Sequence, residues 1–336
     1  MHLPTTSGAK PFSHIYIEKS ILLHPNTKRI LSILKSDHHI IIENYAHLFN
    51  RHNQDFMAQK NAQNLILAEK KQDYYYKGSP YCENFGIGAF YYTGMIMNCL
   101  YDCSYCYLKS IYPSGHMVIF VNNEDFIDAV EHDLLQATSP IYLAISYDSD
   151  LLALNKITHF LEPWMKLAEK YSQLTIEVKT KIGSFPLSKT PPQNVIFAWS
   201  LLPSEVIANY ERRTPSLKSR LLAIKKALSY HAQVRLSIEP LMPIYNAESI
   251  YKNFIRTITT TIDLSQISDI NVGGFRISPK QFKTFYKKDP YAPVFAYPFK
   301  HTTDGIYYEN EATLIHTVVT ALKDYVPNEK LIVYEF

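Results

Sequence analysis

From residue 87 onward the chain alternates short apolar runs with longer stretches of helical period. This alternation limits the available folds more than any other feature. Strand-like runs occupy 87–94 (IGAFYYTG), 141–146 (IYLAIS), 174–180 (LTIEVKT), 194–201 (NVIFAWSL), 233–241 (QVRLSIEPL) and 267–278 (ISDINVGGFRIS). Helix-period segments separate them at 123–137, 152–171, 216–231 and 247–262, and another begins near Pro279. The first of these opens with the acidic pair Glu124–Asp125, a helix-start signal. Strands of this length separated by helices predict βαβ units and a parallel sheet. Six repeats fit either a doubly wound sheet or a partial barrel, and periodicity alone does not choose.

At 336 residues, 46% hydrophobic and 19% charged, the chain suits one large α/β domain or two ordinary ones with a sizeable core. A net charge of +3 gives only a weak pull toward an anionic partner. The start, MHLPTTSGAKPFSHIYIE, has no charged segment leading into an apolar one, and no run of about 18 apolar residues occurs. A cytoplasmic location without a membrane partner is therefore expected, where thiols stay reduced and clustered cysteines read as a metal site. Residues before 87 are less regular. There the run DYYYKG reads as a partly exposed strand or loop edge, with a base-stacking platform as the alternative. Beyond Pro290 come a loop rich in Pro and Tyr, a helix over 310–326 and a last strand over 330–336.

Three of the four cysteines, Cys99, Cys103 and Cys106, crowd into NCLYDCSYCYLKS, directly after the first strand. That position is the carboxyl end of a parallel sheet, where α/β enzymes gather reactive groups. A structural zinc site wants four ligands, usually as two paired knuckles; Cys82 forms no second C-x-x-C, and no H-x-x-x-H is present. Three inert buried cysteines are a second reading. The third is a 4Fe–4S cluster held at three irons, its fourth iron open to a small molecule.

The pattern C-x-x-x-C-x-x-C, with an aromatic residue before the last cysteine, resembles the signature of the radical S-adenosylmethionine superfamily. The likeness narrows further. IYIEKSIL, CSYCYL, SDLLALNKITHFL, VKTK, WSLLPSEVIANYERRTPSLKSRLLAI and FRISPKQF resemble, nearly end to end, segments of the spore photoproduct lyases, the last three in matching order. The resemblance implies an α/β fold: a partial (β/α)6 TIM-type barrel of the radical S-adenosylmethionine type over 87–290, an N-terminal extension over 1–86 packing on the barrel, and a C-terminal cap over 291–336.

It also implies a function. The expected activity is a carbon–carbon lyase that generates a 5′-deoxyadenosyl radical and repairs a thymine photolesion in DNA. Its cofactors would be a 4Fe–4S cluster on Cys99, Cys103 and Cys106, and S-adenosyl-L-methionine. An electron donor such as a flavodoxin or ferredoxin is implied as partner.

By the same likeness Ser149, Asp150, Lys181 and Ser200 fall on cofactor-contact positions, all at or just past strand ends. Hydroxyls and a lysine there suit the cofactor's carboxylate and ribose, and Asp150 its ammonium; an ordinary strand-end hydrogen bond is the bland reading. Glu211 meets the ribose or caps the following helix. Tyr105 and Tyr107 match a tyrosine pair proposed in the family as a radical relay. One position departs: where the family places a hydrogen-donating cysteine after the second strand, this chain has Tyr147. Cys82 is a substitute donor or a buried structural cysteine. Arg276, Arg212, Arg213, Lys280, Lys283 and the segment 300–310, with Tyr307, are candidates for a phosphate-contacting groove or an ordinary solvated face. Two other classes stand beside the lesion lyase: a radical enzyme of the same scaffold acting on another nucleic acid or a small molecule, and a non-catalytic zinc module that binds nucleic acid.

Overall fold

The computed structural model describes residues 12–78, 85–303 and 305–334. Cys82 lies outside them. The chain divides into two compact units: residues 1–100, 112–180 and 191–196 form the first, and 101–111, 181–190 and 197–336 the second.

The first unit carries half of the expected strand series: β1 (Ala89–Thr93), β2 (Ile141–Ala144) and β3 (Leu174–Thr180). They pair in parallel, β1 with β2 and β2 with β3, and Tyr75–Lys77 adds an antiparallel edge to β1. The tyrosine run is thus an edge strand. Helix Asn123–Leu134 joins β1 to β2 in sequence. The 152–171 segment, expected as one helix, is two: Leu151–Thr158 and Leu161–Lys170. The break is at His159, whose φ of 53° is left-handed and ends the first helix. Trp164 on the second helix is fully buried and donates its indole N–H to Asn123 Oδ1 at 3.0 Å.

The region before residue 87 is more regular than its composition suggests. Ile15–Glu18, Ile40–Ile42, Leu65–Ala68 and Met117–Phe120 form parallel pairs, and Ile96–Met97 closes the edge antiparallel. The result is a second, five-stranded sheet. Leu65–Ala68 and Met117–Phe120 are buried throughout, the near-continuous apolar pattern of strands covered on both faces.

The second unit holds β4 (Val195–Ser200, its first two residues in the first unit), β5 (Gln233–Leu241), β6 (Asp269–Gly274) and β7 (Leu331–Tyr334), adjacent in that order. β5 and β6 pair in parallel from Arg235 opposite Asp269 to Ile238 opposite Val272, with a bulge before Leu241. Helices Leu217–Ser229, Ala247–Thr261, Pro279–Lys288 and Glu311–Lys323 lie between or after these strands. Their starts are legible: Ser216 and Ser278 accept from the backbone N–H three residues on, and proline follows Ser278 at the first helical position. A hairpin of Phe299–His301 and Ile306–Tyr308 bridges to Ile277.

Candidate active site

In the first unit the backbone at Cys99 is tied down. Asn98 adopts φ 66°, a left-handed conformation that asparagine tolerates, and its side chain donates to Ser114 O (2.8 Å) and His116 O (2.6 Å). Lys60 Nζ donates to Cys99 O, and Lys60 is itself buried. At the carboxyl end of β2 come Tyr147, Ser149 and Asp150. Ser149 Oγ is buried without a hydrogen-bond partner. A buried hydroxyl carries a desolvation cost unless something bonds it, so this atom suits a polar group of a bound cofactor. Asp150 is held by the fold itself. It caps helix Leu151–Thr158 through Ala153 N (3.0 Å) and accepts from Thr180 Oγ1 at 2.9 Å. Beside it, Tyr112 donates to Asp148 at 2.7 Å in a buried pair. Burial, then the Asp148 charge and hydrogen bond, raise the Tyr112 pKa far above its ordinary value. The Tyr147 ring stacks on Tyr92 with centroids 4.4 Å apart.

In the second unit the rest of the cysteine loop is anchored to the segment after β4. Asp102–Cys103 pairs antiparallel with Glu211–Arg212, Ser104 N donates to Tyr210 O at 2.7 Å, and Arg212 forms an ion pair with Asp102. Cys106 N turns back to Cys103 O at 3.2 Å. Lys109, just beyond, reaches Asp289 at 2.8 Å and lies over the Phe285 ring.

The centre of this half is Glu211, which is 2% exposed. Tyr105 donates its hydroxyl to Oε1, Lys181 Nζ is 3.1 Å from the same oxygen, and Arg220 holds Oε2. Burial alone would raise the Glu211 pKa. The Lys181 and Arg220 charges, with hydrogen bonds from Tyr105 and Arg220, outweigh it and hold the carboxyl at about 2. Burial, followed by the neighbouring Glu211 charge, pushes the Tyr105 pKa well up. Arg220, wholly buried, also donates to Ser200 O at 2.9 Å, linking the end of β4 to the cluster loop. Glu211 is not the cap of the following helix; Ser216 is. Sequence reasoning passed over Arg220. Its signal was an arginine on the apolar face of helix Leu217–Ser229, flanked by Leu217, Leu221 and Ile224, all buried.

Farther along, the Cβ that a side chain would place at Gly305 would lie 3.6 Å from both Arg276 Cγ and Tyr307 Cε1, so this turn brings Arg276 and Tyr307 together. The Tyr307 hydroxyl bonds Thr302 Oγ1 at 2.7 Å. Arg212, Arg213, Lys280 and Lys283 are exposed.

Cys99, Cys103 and Cys106 are thiols, none in a disulfide. Among the described residues no three His, Cys, Asp or Glu side chains converge as a single ion requires. A cluster asks for something different, since each thiolate reaches its own iron. Three thiols on one anchored loop fit that group, and the unpartnered Ser149 hydroxyl fits a polar group of an organic cofactor.

The comparisons agree with this chemistry. A family model for spore photoproduct lyase matches residues 9–284. Among solved structures, a mutant spore photoproduct lyase with bound AdoMet and dinucleoside spore photoproduct superposes with a TM-score of 0.80 at 18% identity, covering 97% of this chain and 100% of that one. Spore photoproduct lyase complexed with the dinucleoside spore photoproduct gives 0.77 at 16% identity, covering 96% and 98%. No curated protein matches. The fold is thus the α/β, TIM-type fold of those lyases. With the family match spanning most of its length and the three-cysteine loop in place, the chain belongs to the spore photoproduct lyase family.

Proposed function

We propose that the chain is a radical S-adenosylmethionine lyase that reverses a thymine–thymine photolesion in DNA. The observation that carries this reading is the family match over residues 9–284, which spans the C-x-x-x-C-x-x-C loop. In this reading Cys99, Cys103 and Cys106 hold a 4Fe–4S cluster; with S-adenosylmethionine bound, its one-electron reduction supplies the 5′-deoxyadenosyl radical. The residues of the chain bind, orient and shield.

Ser149 and Ser200 bond the cofactor's polar groups, and Asp150 keeps the loop after β2 in place as a helix cap. Lys181 and Glu211 act as one ion pair that holds the Tyr105 hydroxyl, within the cysteine loop. Arg276 and Tyr307, brought together at Gly305, contact the lesion strand, Arg276 as a phosphate partner. Tyr147 returns the hydrogen atom to the product, with the Tyr105–Tyr107 pair as the alternative source.

Residues 1–86 serve as an extension, 87–290 as the catalytic region and 291–336 as a cap. The protein works in the cytoplasm, with a small electron-donor protein of the flavodoxin or ferredoxin type. No helix of the described residues is long and apolar enough to cross a membrane.

A second reading has one observation behind it: a tyrosine where the family's donor is a cysteine. It keeps the cofactors and changes the substrate to another nucleic acid or a small molecule. The two separate in an anaerobic reaction with reduced protein, S-adenosylmethionine and dinucleoside spore photoproduct. The lyase reading requires thymine monomers; 5′-deoxyadenosine formation with the lesion intact supports the other substrate.

A further inference from the structure

Three tyrosines of the first unit form a continuous file. Tyr76 and Tyr92 are directly opposed across the antiparallel pair at the sheet edge, so their rings share one face, with centroids 5.4 Å apart and planes 30° apart. Tyr92 is in turn opposite Ala144 on β2, and three residues later Tyr147 folds back over it, stacked at 4.4 Å and 30°. At the outer end Tyr76 is 36% exposed, and its hydroxyl accepts from Lys70 Nζ at 2.9 Å. The opposite face of the same strands carries a separate pair: Tyr75 meets Tyr91 edge-on at 5.6 Å. Alternation along the strands keeps the two sets apart.

We propose that Tyr147, Tyr92 and Tyr76 form a redox file that restores the hydrogen donor from the protein surface. The proposal rests on the reading of Tyr147 as that donor. A product radical that takes the hydrogen atom of the Tyr147 hydroxyl leaves a tyrosyl radical there. A hydrogen atom's worth of electron and proton from Tyr92 restores Tyr147 and moves the radical one ring outward. Tyr76 does the same for Tyr92. The Tyr76 radical is then quenched by one electron from a one-electron donor in solution, of the class that reduces the cluster, and one proton from water. Each ring-to-ring step breaks one phenol O–H bond and forms another, so only the quenching of the Tyr76 radical consumes an external reductant. Because electron exchange weakens steeply with distance, rings in contact make each step short. A donor left as a tyrosyl radical must be refilled before the next turnover, and the file supplies that refill from the surface.

The test uses the full chain with 3-aminotyrosine, an easily oxidised trap, in place of Tyr147, and a soluble ruthenium polypyridyl photo-oxidant too large to enter the fold. Electron paramagnetic resonance after a flash reads the 3-aminotyrosyl radical. Tyr92→Phe is expected to lower its yield about tenfold or more, the effect of a transfer barrier raised by about 1.4 kcal/mol. Tyr76→Phe is expected to act in the same direction. Tyr91→Phe, on the other face, is expected to change nothing, and phenylalanine preserves the packing in all three. Equal signals in the parent and Tyr92→Phe, or an equal loss in Tyr91→Phe, overturn the file. The donor reading fails separately: if Tyr147→Phe leaves the product mixture of the loaded enzyme unchanged, Tyr147 is not the donor, while the flash result still stands for or against conduction.

Discussion

Replacing Glu211 with glutamine removes the charge that two buried cations face. Lys181 is 15% exposed at its side chain and Arg220 not at all, so neither can turn to water for a substitute. Breaking a buried pair by neutralising one partner costs about 3–5 kcal/mol, because the desolvated charge left behind has no compensation. The depressed Glu211 carboxyl gives a consistent figure. A carboxyl ordinarily near 4.5 and held at about 2 in the fold contributes about 3 kcal/mol at neutral pH. A depressed carboxyl stabilises fully above its unfolded value, and the stability disappears as pH falls through its folded value. Glu211→Gln is therefore expected to lower the urea-unfolding free energy by about 3 kcal/mol at pH 7. The gap should start to close below a pH of about 4.5 as the parent loses its own share. A second variant isolates the cause: adding Lys181→Met to Glu211→Gln removes one stranded cation and should recover part of the loss. Unfolding curves for Glu211→Gln and the parent that coincide at pH 7, or a gap independent of pH down to 3, would refute the reasoning.

Other outcomes follow from separate parts of the molecule. Cys99→Ala, Cys103→Ala and Cys106→Ala should each abolish iron and sulfide incorporation on anaerobic reconstitution, whereas Cys82→Ala should keep both; a Cys82→Ala protein without iron would mean that the ligand set is wrong. Ser149→Ala should weaken S-adenosylmethionine binding by about 1 kcal/mol in calorimetry while leaving stability unchanged, since its hydroxyl has no protein partner to lose. Burial raises the Glu311 carboxyl to about 7, so the folded state holds that proton more tightly than the unfolded one. Stability should accordingly fall by about 3 kcal/mol as pH rises from about 4.5 to above 7, and Glu311→Gln should remove that dependence. Tyr147→Cys should raise the fraction of clean thymine product measured by chromatography, because a thiol transfers hydrogen to a carbon radical faster than a phenol does, and Tyr147→Phe should lower it.

Much of the strand–helix series was legible because each element carried its own local signal. Leu174–Thr180 and Gln233–Leu241 coincide with their predicted bounds, as compact apolar runs between turn residues. The N-terminal sheet was missed for a physical reason. Its strands are two to four residues long, too short to show a period, and polar segments such as NRHNQDFMAQKNAQN interrupt them. Met117–Phe120 had an apolar run but no alternation, because both its faces are covered. The split at His159 was hidden because a non-glycine left-handed residue leaves no mark in composition.

For the site, the three-cysteine loop stood out from its spacing, since thiolate ligation restricts residue type. The network around Glu211 could not. Its members, Tyr105, Lys181, Glu211 and Arg220, are scattered over more than a hundred positions, and only folding brings opposite charges into one buried cluster.

The most direct test of the account is one reaction run on two proteins. The reconstituted parent and Cys106→Ala are reduced anaerobically with S-adenosylmethionine and dinucleoside spore photoproduct, and lesion, thymine monomer and 5′-deoxyadenosine are quantified together by chromatography. The account predicts lesion loss matched by monomer gain in the parent and neither in Cys106→Ala. An intact lesion in the parent despite 5′-deoxyadenosine formation, or repair that survives in Cys106→Ala, would contradict it.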